Sequence, residues 1–234
     1  MNNFHSRTAA LLGEAATEKL KNARVALFGI GGVGSFVLEA LVRSGIGSID
    51  IFDCDTVEES NLNRQLIATR DTLGLSKTRA AINRAKEINP EIKIQGFDIF
   101  YGAETAESTD LSVYDFIIDA IDSVSSKTEL ILRADSLKIP IISSMGTGNK
   151  LDPTRIRIDD IYKTSVCPLA RAMRTELKKK GIKHLPVAWS DETPVNAKTG
   201  SEKADGKSAP ASMIFVPAAA GLAIASFVVK ELIK

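Results

Sequence analysis

Short apolar runs alternate with segments of helical periodicity along most of the chain. Because the apolar runs are nearly continuous, both faces of the strands they predict are expected to be covered. Strands that alternate with helices form parallel sheets with right-handed crossovers. The pattern predicts an α/β fold with a mostly parallel sheet and helices on both faces. The predicted strands are 24–28, 48–53, 92–97, 115–119 and 140–145, and the predicted helices between them are 33–44, 77–88 and 125–137.

The pattern changes after Met145. RIRIDDI predicts an alternating strand, PLARAMRTELKKKG a basic amphipathic helix and LPVAWSDE a further strand. We expect a single domain made of an N-terminal helical arm (1–22), a nucleotide-binding core (23–150) and a C-terminal part (151–234) that continues the core. Residues 193–211 are rich in Gly, Ser, Lys and Pro. They have almost nothing to bury, so we predict a mobile loop there.

The C-terminal stretch SMIFVPAAAGLAIASFVVKELIK is the most apolar in the chain. Its apolar run of about 17 residues is marginal for a membrane span, and Pro217 lies near its start. We therefore predict a strand at 212–216 and a buried helix from residue 218, with no membrane association. The first 22 residues lack the uninterrupted apolar core of a signal peptide. With only two cysteines, Cys54 and Cys167, a reducing, cytoplasmic location is expected.

A glycine-rich motif, GIGGVG, follows the first predicted strand and opens a helix. Glycines at this position allow a tight turn and close approach of a phosphate to the helix N-terminus. Asp53 ends the second strand, where a carboxylate binds the ribose of a nucleotide. By itself the motif indicates a nucleotide in a Rossmann-like crevice, with NAD as the default ligand; a glycine turn without a ligand is the alternative. The glycines concerned are Gly29, Gly31, Gly32 and Gly34.

A second motif, DCDTVEESNLNRQ, follows the second strand, and it contributes Asp55, Asn61, Arg64 and Gln65. Lys77 begins the next helix. Arg64 and Lys77 are expected to lie at the same crevice, where two cations could hold a triphosphate and its departing pyrophosphate. A hydride-transfer enzyme has no need of them there. The alternative is that Arg64 is a solvent-exposed surface charge.

A third motif, IIDAIDSVSSK, places Asp119 at the end of a buried strand and Asp122 just beyond it. A carboxylate at this edge of the sheet suits Mg²⁺ that is held by one protein oxygen and by phosphate oxygens. The alternative for Asp122 is a helix N-cap. We expect Asp119 to be structural.

Together these motifs, GxGGxG, DxDxVxxSNLxRQ, the downstream lysine and DxxD, resemble the ubiquitin-activating-enzyme superfamily, over nearly the whole chain. The resemblance implies ATP-dependent activation of a carboxylate as its acyl-adenylate. It implies that Asp53 contacts the ATP ribose, that Asn61, Arg64 and Lys77 engage the phosphates, and that Asp122 is the magnesium-site aspartate. Arg7 matches an arginine that reaches the γ-phosphate in the partner subunit, which implies a homodimer with composite active sites.

The cysteines and the C-terminal part bear on the substrate. Members that activate sulfur carriers commonly have two C-x-x-C pairs for zinc, and this chain has none. Cys167 is the one candidate for a covalent link to a carrier, with a buried structural thiol as the alternative. The segments DIYKTSVCPLARAMRTELKKKGIK, LPVAWSDETP and SMIFVPAAAGLAIASFVVKELIK are similar to the tRNA threonylcarbamoyladenosine dehydratases. That resemblance implies ATP-dependent cyclisation of the modified adenosine at position 37 of tRNA, with ATP, Mg²⁺ and an open question about Na⁺ or K⁺.

A cluster of cations in the predicted basic helix gives separate support for a tRNA partner. Such a cluster would neutralise phosphates and make binding dependent on salt. The alternative is an ordinary solvated helix face. The cluster consists of Arg171, Arg174, Lys178, Lys179, Lys180 and Lys183.

Three other functions remain open at this stage. The same chemistry on the C-terminal carboxylate of a ubiquitin-like sulfur carrier is the nearest alternative. The glycine motif alone would also suit an NAD(P)-dependent oxidoreductase. A nucleotide-binding scaffold that docks a cysteine desulfurase or its sulfur-acceptor system is the third. No residue stands out as the base for the cyclisation.

Overall fold

The computed structural model of the protein describes residues 4–195, 201–202 and 208–234. Its main sheet has seven strands in the order β3-β2-β1-β4-β5-β7-β6. Every neighbouring pair is parallel except β6 and β7, which are antiparallel. The predicted mostly parallel sheet is therefore confirmed. The strands are β1 (Arg24–Phe28), β2 (Ser48–Phe52), β3 (Lys93–Phe97), β4 (Phe116–Asp119), β5 (Ile141–Ser144), β6 (Ile156–Asp160) and β7 (Pro186–Ser190), with a separate short pair β8 (Ser201–Glu202) and β9 (Ser208–Ala209).

Helices cover both faces of this sheet, as predicted. Alternate residues of β1 separate the two cores: Val25 and Leu27 pack in one, and Ala26 and Phe28 in the other. The first core includes apolar residues of α3, α4 and α8, and the second includes those of α6. The helices are α1 (Ser6–Leu12), α2 (Glu14–Asn22), α3 (Gly34–Ser44), α4 (Lys77–Ile88), α5 (Ala103–Ala106), α6 (Val124–Leu137), α7 (Pro168–Lys179) and α8 (Phe215–Leu232).

The C-terminal stretch differs from the prediction. Residues 212–214 form no strand, and α8 begins at Phe215 rather than at residue 218. The β-branched and aromatic residues there suggested a strand. However, Pro217 lies in the first helical turn, where its missing N–H would have had no partner in any case, so it does not delay the start of the helix.

Helix α8 is long and apolar enough to cross a membrane, with a mean hydropathy of 1.6. Its buried residues pack instead against α3, β5, β6 and β7, as those of a core helix do. Strands β6 and β7, from the C-terminal part of the chain, extend the same sheet as the core strands. Of the predicted mobile loop at 193–211, residues 196–200 and 203–207 lie outside the described residues. Within the described part, β8 and β9 form an antiparallel pair.

Candidate functional site

The three sequence motifs converge at the carboxyl edge of the sheet. Strand β1 lies between β2 and β4, and its last residue, Phe28, pairs with Phe52 on one side and Asp119 on the other. The chain leaves β1 toward β2 and β3 in one direction and toward β4 and β5 in the other. Ligands of open α/β sheets bind in the crevice at such a switch point. The glycine loop, Asp53 and Asp122 therefore lie together at the edge of the sheet where such a crevice is expected.

The glycine loop is packed too tightly for side chains at two of its positions. Gly29 has φ +91°, and a Cβ there would lie 2.7 Å from the carbonyl oxygen of Ala120. A Cβ at Gly34 would lie 1.8 Å from the carbonyl oxygen of Gly29. A Cβ at Gly31, in contrast, would meet nothing within 4 Å. The backbone at Gly31 is therefore the part of the loop that a phosphate can approach.

Asp53, which follows β2, holds the glycine loop in place by a hydrogen bond. Its Oδ2 accepts a hydrogen bond from the backbone N–H of Ile30 at 2.6 Å, and its Oδ1 accepts one from that of Asp55 at 2.9 Å. Burial raises the pKa of Asp53, and the nearby Lys77 ammonium and the two backbone donors oppose that shift. A ribose at this edge would meet a carboxylate whose orientation is already fixed.

Lys77 is the first residue of α4, and its side chain is almost fully buried at the crevice. Its Nζ lies 2.6 Å from Asp55 Oδ2 and 3.9 Å from Asp53 Oδ1. The backbone N–H of Lys77 also donates to the carbonyl of Asp55 at 2.9 Å. The predicted phosphate lysine therefore lies beside the crevice, paired with a carboxylate from the predicted second motif.

Arg64 lies over the glycine loop. Its Cγ would be 3.5 Å from a Cβ at Gly32, and its Nη1 donates to the carbonyl of Ser60 at 2.8 Å. The loop that carries it is attached to α3, because the buried Ser35 Oγ accepts from the backbone N–H of Leu66 at 3.1 Å. The aliphatic stem of Arg64 thus packs against the glycine loop, while its guanidinium donates to Ser60 and, at 3.0 Å, to Asn63 Oδ1 of its own loop.

Asn61 and Gln65, the other two predicted residues of this loop, are both buried. The Asn61 side chain accepts from the backbone N–H of Glu58 at 3.1 Å, so it stabilises the loop from within. Gln65 Oε1 has no hydrogen-bond partner among the described residues. A buried acceptor of this kind ordinarily finds a partner, so a donor on a ligand or water would satisfy it.

Asp119 and Asp122 have two different environments. Asp119 is completely buried, and its Oδ2 accepts from Lys127 Nζ at 2.9 Å and from Ser143 Oγ at 2.5 Å. Asp122 is exposed in the turn that follows β4. The described part of the chain contains no group of three or more His, Cys, Asp or Glu residues arranged to hold a metal ion. A divalent ion here would need most of its ligands from a nucleotide and from water.

Sequence reasoning missed Lys127 and Ser35. Lys127 follows the N-cap of α6, Ser123, by four residues. Helical side chains lean toward the helix N-terminus, so this spacing directs its ammonium back to the end of β4. That geometry is a signal the motif IIDAIDSVSSK did contain. Ser35, in contrast, acts on a loop 31 residues away, and nothing local identifies it.

Cys167 is buried at the start of α7, with its Sγ 3.9 Å from the carbonyl oxygen of Gly146. This environment fits the structural alternative for the thiol. Gly146 follows β5, so this end of α7 lies on the same edge of the sheet as the crevice.

The predicted RNA-binding residues spread along α7 and beyond it. Helix α7 has 12 residues and is therefore about 18 Å long. Beyond it, Ile182 and Leu185 line a cavity with Pro140 and Pro186, which lie at the amino ends of β5 and β7. This amino edge of the sheet is opposite the crevice. Three cations are exposed near it: Lys178, Lys180 and Lys183. Arg171 is exposed nearer the crevice.

Two members of this cluster have partners within the protein. Arg174 is half-buried and donates to the carbonyl of Thr164 at 3.0 Å. Lys179 forms an ion pair with Glu176 at 2.8 Å. The exposed positive surface is thus smaller than the sequence cluster suggests.

Arg7 does not border its own crevice. It is exposed on α1 and, with Leu11, Leu222, Val229 and other residues, lines a cavity of about 530 Å³ between α1, α3 and α8. Its neighbour His5 lies against Gly45, at the C-terminal end of α3. The glycine loop is at the other end of that helix, whose 11 residues span about 16 Å.

Comparison with known proteins identifies a family and several relatives of this chain. Residues 5–234 match the model of the ThiF family. The tRNA threonylcarbamoyladenosine dehydratase of Bacillus subtilis is 42% identical, over 98% of this chain and 94% of that protein. The crystal structure of the Escherichia coli tRNA N6-threonylcarbamoyladenosine dehydratase in complex with AMP has a TM-score of 0.88 at 34% identity, covering 97% of this chain and 92% of that one. The complex of the E. coli enzyme with ATP gives 0.86 at 35% identity, with the same coverage.

Proposed function

The chain belongs to the ThiF family, and we propose that it is an enzyme that cyclises threonylcarbamoyladenosine at position 37 of tRNA, with ATP, through an acyl-adenylate. One observation carries this proposal. A glycine loop, a buried lysine and a strand-end aspartate meet at one crevice, in a chain that is 42% identical to a tRNA threonylcarbamoyladenosine dehydratase over 98% of its length.

The reaction has two steps. A carboxylate oxygen of the modified nucleoside attacks the α-phosphate of ATP, and pyrophosphate leaves. A nucleophilic group of the same nucleoside then attacks the acyl carbon and gives up its proton, and the bond from the acyl carbon to the AMP oxygen breaks. AMP leaves with one carboxylate oxygen, so the net change in the nucleoside is the loss of one water. The second step needs no enzyme thioester, which agrees with the buried position of Cys167. It benefits from proximity because both reacting groups belong to one nucleotide.

Arg64, Lys77 and Asp122 would carry the first step. Negative charge grows on the α-phosphate and on the departing pyrophosphate, and preorganised cations in a crevice stabilise it. Lys77 would exchange Asp55 for phosphate oxygens, while Arg64 already lies over Gly32. The donors on the backbone of the glycine loop would bind the phosphates as well. The carboxylate of Asp53, which is held by hydrogen bonds, would bind the ribose. Gln65 Oε1 would accept a hydrogen bond from the ligand.

Mg²⁺ would enter with the nucleotide. Asp122 offers a single exposed carboxylate, and Mg²⁺ commonly takes one or two carboxylates together with phosphate oxygens and waters. The residues present therefore fit an ion brought by ATP better than a permanently bound one. When bound, the ion would neutralise charge on the phosphates. We assign no protein ligands to a monovalent cation. Na⁺ and K⁺ are therefore to be compared in the activity assay.

The positions of Arg7 and α8 support a homodimer with composite sites. The N-terminus of α8 contacts the glycine loop through Pro217, and its C-terminal end lines the cavity that Arg7 borders. Helix α8 has 18 residues and spans about 27 Å. If two copies pair with their α8 helices antiparallel about a twofold axis, each Arg7 comes near the crevice of the partner.

Exposed apolar side chains support this surface as an interface between two copies. Leu11 is 82% exposed, and Phe215 and Leu222 are each 52% exposed. Leu11 and Leu222 line the groove that Arg7 borders, and exposed apolar side chains grouped in this way are typical of surfaces that another protein covers.

The tRNA would lie along α7, with its modified base in the crevice and its phosphates near the exposed cations of that helix. Because tRNA is the proposed substrate, we also propose a cytoplasmic location. The buried Cys167 thiol is not placed to exchange sulfur with a cysteine desulfurase or sulfur-acceptor system.

The proposal is tested by substrate dependence. Protein incubated with ATP, Mg²⁺ and tRNA that carries threonylcarbamoyladenosine should release AMP and pyrophosphate, and should release neither with tRNA that lacks the modification. Pyrophosphate exchange into ATP that depends on a ubiquitin-like carrier, and not on tRNA, would favour the carrier-activating alternative. Tight NADH binding without ATP binding would instead favour the oxidoreductase.

A further inference from the structure

A buried ion pair lies directly beneath the crevice. The side chains of Asp119 and Lys127 are both 0% exposed, and Lys127 Nζ lies 2.9 Å from Asp119 Oδ2. The same carboxylate oxygen accepts from Ser143 Oγ of β5 at 2.5 Å. The cluster thus joins the end of β4, the first turns of α6 and the neighbouring strand.

The second oxygen of Asp119 fixes the turn that leads to Asp122. Asp119 Oδ1 accepts from the backbone N–H of Ile121 at 3.1 Å. Within this turn, the N–H of Ala120 donates to the carbonyl of Phe28 at 2.8 Å. A Cβ at Gly29 would lie only 2.7 Å from the carbonyl oxygen of Ala120, so the turn packs closely against the glycine loop. One short turn therefore supports the glycine loop on one side and presents Asp122 on the other.

Stability alone does not explain such a pair. Removing two charges from water is costly, and well-packed apolar residues in place of a buried ion pair are often as stable or more stable. A fully buried pair instead specifies geometry, because the carboxylate must face its cation. Here the carboxylate that faces Lys127 is the one whose other oxygen accepts from the turn that leads to Asp122.

We propose that Lys127 is a positioning residue for MgATP: it orients Asp119, which holds the turn that places Asp122 and the glycine loop relative to each other. The inference rests on the proposed function, since MgATP is the ligand concerned. Lys127 acts through Asp119, because its side chain is completely enclosed and does not reach the crevice surface.

The test compares Lys127→Met, Lys127→Arg and Ser143→Ala with the unchanged protein. Each is titrated with MgATP by calorimetry, and pyrophosphate release is measured as a function of Mg²⁺ concentration. Loss of a residue that orients a metal ligand commonly costs about tenfold to a hundredfold in metal affinity. We expect Lys127→Met to weaken MgATP binding and raise the Mg²⁺ half-saturation by about tenfold, with a smaller loss of kcat at saturating Mg²⁺. Lys127→Arg, which keeps the charge, should recover most of the affinity.

Arg24→Met is the matched control for lost stability. Arg24 pairs with the buried Asp50 at 2.6 Å, and it begins β1 at the amino edge of the sheet, away from the crevice. Its variant should bind MgATP normally even where its Tm falls as far as that of Lys127→Met. An equal loss of MgATP affinity in both variants would overturn the inference.

Other outcomes are also decisive. Normal MgATP binding by Lys127→Met overturns the inference and leaves the proposed function intact. If Lys127→Met does not fold, Ser143→Ala, which keeps the ion pair, must still raise the Mg²⁺ half-saturation measurably, and an unchanged value overturns the inference. If the unchanged protein binds no MgATP, the proposed function fails together with the inference.

Discussion

Lys77 and Asp55 form an ion pair in which one partner is buried and the other is exposed. The Nζ and Oδ2 atoms are 2.6 Å apart, with the Lys77 side chain 7% exposed and that of Asp55 62% exposed. In the absence of a nucleotide, the carboxylate of Asp55 balances the charge of the buried Lys77 ammonium. Because Asp55 is exposed, it can turn away into solvent, and Lys77 is then available to the phosphates of ATP.

Lys77→Ala should abolish most of the adenylation activity. A preorganised charge at a developing anion contributes about 100-fold to 1000-fold in kcat, and we expect a loss of that size in pyrophosphate release with little change in Tm. Lys86→Ala is the control, because Lys86 is an exposed lysine on the same helix. Wild-type rates for Lys77→Ala would show that the lysine does not contact the reacting phosphates.

Arg7→Ala should also be inactive, but for a reason that lies in the partner subunit. In an equimolar mixture of Arg7→Ala and Lys77→Ala chains, half of the dimers are mixed, and one of the two sites in each has every native residue. Random reassortment therefore predicts recovery of about a quarter of wild-type activity. Pyrophosphate release by the mixture, measured against each variant alone, checks this. No recovery after verified exchange of subunits would contradict the composite site.

The exposed lysines beyond α7 should affect tRNA binding and not ATP binding. Lys180→Glu with Lys183→Glu should raise the KM for tRNA about tenfold and make the dependence of affinity on salt shallower, because each phosphate contact contributes about one to the logarithmic slope. Lys86→Glu with Lys93→Glu has the same change of charge, on α4 and on β3 at the other edge of the sheet. Equal effects of the two double variants would mean that only net charge matters.

Nucleotide binding should weaken in acid at a higher pH than an ordinary aspartate would give. Burial raises the pKa of Asp53 against the opposing charge of Lys77, with Asp55 also facing it. Because the pKa is higher in the folded than in the unfolded state, protonation favours folding, and that stability is lost as the pH rises through the folded-state pKa. Protonation also removes the ionised acceptor that would bind the ribose.

Titration with ATP from neutral pH down to about 4, the region where aspartates ordinarily ionise, measures this effect. We expect the affinity to fall on the acid side, and Asp53→Asn to bind weakly at all pH values without that fall. The same acid limb in Asp53→Asn would assign it to another group.

The parts of the site that local motifs encode could be predicted from the sequence. The glycine loop, Asp53, Lys77 and Asp122 each follow or open an element whose hydrophobic pattern is clear, and parallel strands bring their carboxyl ends to one edge. Asp119 was expected to be structural, and it is completely buried.

Long-range contacts could not be predicted in this way. The bond from Leu66 to Ser35 and the bond from Ser143 to Asp119 join residues far apart in sequence. The sequence pattern places the start of α8 after Pro217. In the structure the helix begins at Phe215, and Pro217 packs against Gly32 from the first helical turn. The cations that are close together in the sequence do not form one patch, because α7 spreads them from the crevice toward the opposite edge of the sheet.

The central claim is that this crevice dehydrates a modified adenosine in tRNA. The most direct measurement is to incubate the protein with ATP, Mg²⁺ and total tRNA, digest the RNA, and analyse the nucleosides by mass spectrometry under mild conditions. We predict that threonylcarbamoyladenosine is replaced by a nucleoside lighter by one water, in step with the AMP formed, and that neither change occurs with Lys77→Ala. Unchanged threonylcarbamoyladenosine in the presence of active, ATP-binding protein would contradict the account.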